Sequence, residues 1–174
     1  LLAQLWRHLS QGARDHAVSV GVLQIPAPHR VIDALGNATA ELFRAGLLTR
    51  HRELTVIGDE TDRRLGWEDR WSMHASVQQF VLEKGAVNEL RRARAIAAKQ
   101  YEVLVAQPGA RWADHVEAIR LYLCNDDAAS AWPLACKCVV WLRHRAQFAT
   151  ALEMLETFSN AGLAGDFYSE HLSL

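Results

Sequence analysis

The residues best equipped for chemistry gather between positions 59 and 74. Asp59, Glu60, Asp62, Glu68 and Asp69 are interleaved with Arg63, Arg64 and Arg70, and the stretch ends at His74. Paired carboxylates suit general acid–base work. Here "DET" (59–61) and "WEDR" (67–70) fall in a polar, turn-like segment, where solvated turn carboxylates are expected instead. His74 stands in "RWSMHASVQQF" (70–80), at the junction of a strand and a helix. An imidazole at such a joint either touches a ligand or closes the turn. His115 and His144 are expected on partly exposed helix faces. The basic runs "RRAR" and "RHRAQ" read as solvated faces too.

Cys124, Cys136 and Cys138 are the only cysteines. An odd count on helical segments argues against a disulfide framework and for a reducing compartment, so the expected location is cytoplasmic. Two residues apart on a helix, Cys136 and Cys138 point in different directions. They are expected to be packing residues, and no metal site is expected. The chain carries no GxxxxGK[ST], GxGxxG, HExxH or GxSxG pattern. A non-catalytic chain is therefore expected.

The elements that must position these residues follow from periodicity. Residues 1–10 and 13–24 read as helices, and "IPAPH" (25–29) breaks the run. A short helix at 29–35 places Val31, Ile32 and Leu35 on one side, and Gly36 stops it. Asn37 is the expected N-cap of the next helix, "NATAELFRAGLL", which Gly46 ends. Leu54, Thr55, Val56 and Ile57 favour a strand over 48–58. Residues 59–70 read as loop, 71–74 as a second strand and 75–85 as a helix. Helix, helix, strand, loop, strand is the order of a winged helix: a three-helix unit with a β-hairpin wing.

From residue 86 onward only helices are expected. Val87, Leu90, Ala93, Ala97, Tyr101 and Leu104 form one stripe over 86–107, and Pro108–Gly109 ends it. Trp112, Val116, Ile119 and Leu123 form another over 111–123. "NDD" (125–127) reads as a turn and cap. Helices follow at 130–145, with Pro133 in the first turn or at a kink, and at 147–158. "RWADHVEAIR" (111–120) aligns with "QFATALEMLE" (147–156) at an offset of 36 residues, close to a tetratricopeptide period. Residues 166–174 resemble the start of a third pair, cut short. The expected fold is thus mainly α, with a winged-helix domain over 1–85 and tetratricopeptide-like helical hairpins over 86–174. Trp132, Trp141 and Tyr122 are expected in the helical core.

The stretch "ATAELFRAGLL", a hairpin, and then "WSMHASVQQFV" resembles the winged-helix region of signal-transducing NTPases of the NB-ARC type. Met73-His74-Ala75 stands where that family has Met-His-Asp. The resemblance implies a winged helix that latches an upstream nucleotide-binding domain of the same chain in its ADP state. It implies that His74 approaches the β-phosphate, and that helical repeats follow which bind a protein partner or sense a signal. Ala75 replaces the aspartate that would brace the loop. The resemblance makes this chain a fragment of the larger protein. ADP or ATP would belong to the parent, with no cofactor in this segment.

The 174 residues carry a net charge of −1, and half are apolar, so a packed core is expected rather than disorder. No apolar run approaches the roughly 20 residues that span a bilayer, so no membrane partner is expected. The alternative reading is a DNA-binding winged-helix regulator with a helical effector domain. Charge disfavours it: Glu41 and Arg44 cancel on the helix that would enter the groove, and carboxylates outnumber arginines in the wing. Self-association is expected through residues 147–174, where Phe148, Leu152 and Leu155 would seek cover.

Overall fold

Ser10 sets the first junction. It separates α1 (Leu2–His8) from α2 (Gln11–Val20), and its hydroxyl accepts the Ala13 N–H at 3.1 Å, as an N-cap should. Arg14 donates to the Trp6 and Arg7 carbonyls, at 3.0 and 2.9 Å, closing the end of α1. The computed structural model describes residues 1–57, 64–107 and 110–159. Asp59, Glu60, Asp62 and Arg63, the Pro108–Gly109 stop and the third pair expected at 166–174 lie outside the described residues. The chain is mainly helical with a small three-stranded antiparallel sheet. Its two compact units are Leu1–Glu117 and Ala118–Leu174.

In the first unit, α2 ends at Val20, four residues before the expected stop. Val22 and Leu23 leave the helix to become buried. The exposed carbonyls this creates are satisfied by the Gln78 side-chain amide, which donates to Gly21 and Leu23 at 2.8 and 2.6 Å. Strand β1 (Ala27–Pro28), not expected from the sequence, leads into α3 (His29–Leu35), whose Val31, Ile32 and Leu35 are all buried. The next helix, α4 (Thr39–Arg44), is capped by Ala38 without a side-chain bond, not by Asn37. The Ala38 N–H is already taken by His16 Nδ1 at 2.9 Å. Gly46 ends α4 with φ +71°, while Leu47 N–H reaches back to Leu42 O and Gly46 N–H to Phe43 O. This left-handed stop turns the chain so that Leu47 and Leu48 are buried.

Strands β2 (Leu48–Ile57) and β3 (Arg64–Met73) pair antiparallel, with Leu54 opposite Trp67 and His51 opposite Arg70. Residues 64–70, expected as loop, are strand. Their alternation was hidden because Glu68 and Arg70 occupy positions where an apolar inner face was sought. The sheet order is β1-β3-β2, so β2 is an edge. Helix α5 (Ala75–Leu82) buries Val77 and Val81, and Phe80 meets Trp6 edge-on at 5.7 Å. Helix α6 (Val87–Val105) packs on α2 and α3 through Ala93, Ala97 and Tyr101. Val87, expected on that stripe, is exposed at the helix start.

Helix α7 (Trp112–Leu123) corrects a second expectation. Its buried side chains are Asp114, Glu117, Ala118, Ile119, Leu121 and Tyr122, while Val116 is exposed and Trp112 half-buried. The inward face is rotated because two carboxylates turn inside, Asp114 to the Arg70 guanidinium and Glu117 to the Gln24 backbone N–H.

In the second unit, Asp127 caps α8 (Ala128–His144) by accepting the Ser130 N–H at 3.1 Å, as "NDD" suggested. Pro133 is the sixth residue of α8, past its first turn, so one interior backbone bond is missing there. Helix α9 (Phe148–Ser159) packs on α8, and Phe158 is buried against the half-buried Trp132, ring to ring at 5.3 Å. Both α7 and α9 run 12 residues, and their starts are 36 apart, as the internal alignment implied. Aligned Ile119 and Leu155 are both buried, and so are Tyr122 and Phe158. Trp141 is partly exposed, with the Arg145 guanidinium stacked 4.1 Å from its ring centre. Leu155 is thus not available for self-association. Leu152 is exposed, and 160–174 lie outside the described residues.

Candidate functional site

His74 begins the site and is exposed, in the N-cap position of α5. Its Nδ1 accepts the Ser76 N–H at 3.3 Å and lies 2.9 Å from Ser76 Oγ. With Nδ1 accepting, the neutral ring carries its proton on Nε2, which is left to donate elsewhere. The capping geometry and a donor at a helix N-terminus coexist in one side chain.

The ribbon that delivers His74 is anchored on one face. His51, Glu53, Glu68, Arg70 and Ser72 share this inner face by strand alternation. Arg70 is buried and forks onto the buried Asp114, with both bonds at 2.8 Å. Its Nε donates to Glu68 at 2.8 Å and its Nη1 to the Pro26 carbonyl at 3.0 Å. Burial alone would lower the Arg70 pKa, but the Asp114 hydrogen bonds and charge outweigh it and the pKa is raised. Arg111 pairs with Glu53, and Glu117 accepts the Gln24 N–H at 2.8 Å. His51 Nε2 lies 2.7 Å from Ser72 Oγ across the strands. The cations of this cluster are matched to carboxylates, an arrangement that holds the ribbon stem against the start of α7.

Tyr101 is buried beside this cluster, and among the described residues its hydroxyl has no hydrogen-bond partner. Burial pushes its pKa up, and Glu117 and Asp114 add to the effect, so the phenol stays neutral. An unmade buried bond is a cost, so Tyr101→Phe is expected to leave stability unchanged or raise it by up to about 1 kcal/mol. A loss above that size on urea denaturation would mean that the hydroxyl is satisfied.

The opposite face of the ribbon differs along its length. At the base, Leu48 and Trp71 are buried, and Trp71 meets Phe43 edge-on at 5.4 Å. In the middle, Arg50 and Arg52 both lean on Asp69, at 3.8 and 3.5 Å. Further out, Leu54, Leu65 and Trp67 are 56, 70 and 64% exposed. By register they share one face and form an apolar patch of the kind that marks interaction surfaces.

The remaining candidates are engaged elsewhere. His115 Nδ1 lies 3.1 Å from the Arg111 carbonyl and is half-buried, and His144 is exposed. Burial pushes the Cys136 and Cys138 thiols up to about 11 and about 12, which suits packing, whereas Cys124 is exposed. A cleft of about 550 Å³ lies beside α2, α3 and α6. Its carboxylates serve local partners: Asp15 takes Gln11, Asp33 pairs with His29, and Glu89 accepts the Ala86 N–H. Among the described residues no cluster of His, Cys, Asp or Glu has the makings of a metal site, and no helix is long and apolar enough to cross a membrane.

Sequence reasoning placed His74 at the strand-to-helix joint, where it stands, but did not foresee the Arg70–Asp114 pair or the patch. The alternation Trp67, Asp69, Trp71, Met73 was the available signal for the outer face. Nothing local marks Asp114 as buried, since its partner lies 44 residues away. No family model, curated protein or solved structure matches the chain.

Proposed function

We propose that the chain is a non-catalytic regulatory and interaction module of a larger signalling NTPase. In this reading residues 1–85 are a winged-helix domain that latches a nucleotide-binding domain of the same polypeptide. Residues 86–174 open a tetratricopeptide-like array that binds a protein partner. The observation that carries the reading is the ribbon: a stem fixed by buried ion pairs and an outer half that presents Leu54, Leu65 and Trp67 to solvent. A fixed stem with an apolar outer half is built to grip.

His74 fits the latch in its chemistry. Its Nδ1 is occupied by the cap, so Nε2–H is a donor beside the positive end of α5, where an ADP phosphate oxygen would be favoured. With alanine at position 75, the bracing carboxylate of the resembling family is missing, and the Ser76 contact orients the ring instead.

The reading expects a phosphate-binding loop upstream of residue 1 in the full reading frame, and a frame without one overturns it. In that full-length protein, His74→Ala is expected to speed release of fluorescent ADP at least about fivefold, the size of a typical coupling effect. An unchanged release rate, with the helical circular dichroism preserved, removes His74 from the latch.

A further inference from the structure

We propose that the outer edge of β2 receives an extended acidic segment of a protein partner, which joins the sheet as a fourth strand antiparallel to β2. The inference rests on the reading of the ribbon as a gripping element and specifies what it grips.

The first support is the edge itself. Strand β2 runs for ten residues and, among the described residues, pairs only with β3. Among the described residues, no backbone hydrogen bond from outside the sheet reaches it. Such an edge offers a row of free amides and carbonyls to an incoming strand.

The second support is charge. Arg50 and Arg52 share the outer face, both are more than half exposed, and both lean on the same carboxylate, Asp69. No other charged side chain of either strand belongs to that face, which leaves one cation in surplus beside the apolar patch. An incoming antiparallel strand meets Leu54 first, then Arg52, then Arg50, at every second residue. The complementary segment therefore reads apolar-x-acidic-x-acidic, with its apolar side chain extending the Leu54 and Trp67 patch.

A second copy of this chain fits poorly. Antiparallel pairing of two β2 strands about their middle sets Arg52 against Arg52, or Glu53 against Glu53, and like charges directly opposite are destabilising. The central registers are thus disfavoured for a second copy, while the edge stays open to an acidic strand.

The test uses the 174-residue chain and a synthetic peptide with the core Val-Thr-Glu-Thr-Glu. Control peptides carry lysine for glutamate, or N-methyl groups at alternate backbone positions. The acidic peptide is expected to bind, to shift the amide resonances of β2, and to slow their hydrogen exchange. Both controls are expected to bind at least about tenfold more weakly, as is the acidic peptide to the R50E/R52E variant. Both arginines are exposed, so the variant is expected to fold, which circular dichroism checks. No binding of the acidic peptide overturns the proposal. So does binding that tolerates N-methylation or the charge reversal, or a preference of the same face for duplex DNA or anionic vesicles. Peptide binding needs no nucleotide domain, whereas ADP release reads the latch, so the two readings fail separately.

Discussion

Asp114→Ala is expected to cost the first unit about 3–5 kcal/mol, the largest single effect in the molecule, because it leaves a buried guanidinium without its partner. Arg70 has almost no contact with solvent and places two of its bonds on Asp114. The pair sits too deep for ions to screen, so added salt is expected to change the loss little. Replacing both partners, as Arg70→Met with Asp114→Leu, removes both charges and is expected to recover most of the stability. Chemical denaturation of the single and double variants decides the matter. A single variant within about 1 kcal/mol of the parent would show that water reaches Arg70.

His16→Leu is expected to cost about 2–4 kcal/mol, since it orphans two backbone groups at once. His16 is buried, with Nε2 lying 3.0 Å from the Ile32 carbonyl and Nδ1 accepting the Ala38 N–H at 2.9 Å. It therefore ties α2 to the end of α3 and the start of α4. Gly36 makes room for it: a Cβ there would stand 2.5 Å from the imidazole ring. Burial lowers the His16 pKa below its ordinary 6.5, and this outweighs the opposing effects of the Ile32 bond and Asp33. The neutral ring is thus the folded form. Its contribution is full above about pH 6.5 and fades as pH falls from there towards the depressed folded value. Melting temperature followed from pH 8 to pH 5 is expected to drop more steeply for the parent than for His16→Leu. Parallel curves would mean that His16 protonates in place.

Apolar periodicity exposed most of the helices, because Val31, Ile32, Leu42, Val77 and Val81 fall on spaced positions and are buried. It failed where polar groups replace apolar ones in the interior. Strand β3 was half hidden because Glu68 and Arg70 face inward, and only an ion pair makes that tolerable. The inner face of α7 was misassigned for the same reason, since Asp114 and Glu117 occupy it. A buried charge is a property of two distant residues together, so no local window reveals it. His74 was readable because a cap is a local event, complete within three residues. The surface patch required the register, which sets Leu54 opposite Trp67.

The spacing of the ribbon's anchor along the chain bears on how the protein is born. Arg70 precedes Asp114 by 44 residues, and Gln24 precedes Glu117 by 93. At translation rates of about 5–20 residues per second, Arg70 emerges roughly 2–9 seconds before its counter-ion exists. Through that interval the nascent ribbon has an unclamped stem and an open edge, the state in which strands pair with the wrong neighbours. Slower synthesis between these codons is therefore expected to lengthen the exposure of the emerging edge, and faster synthesis to shorten it.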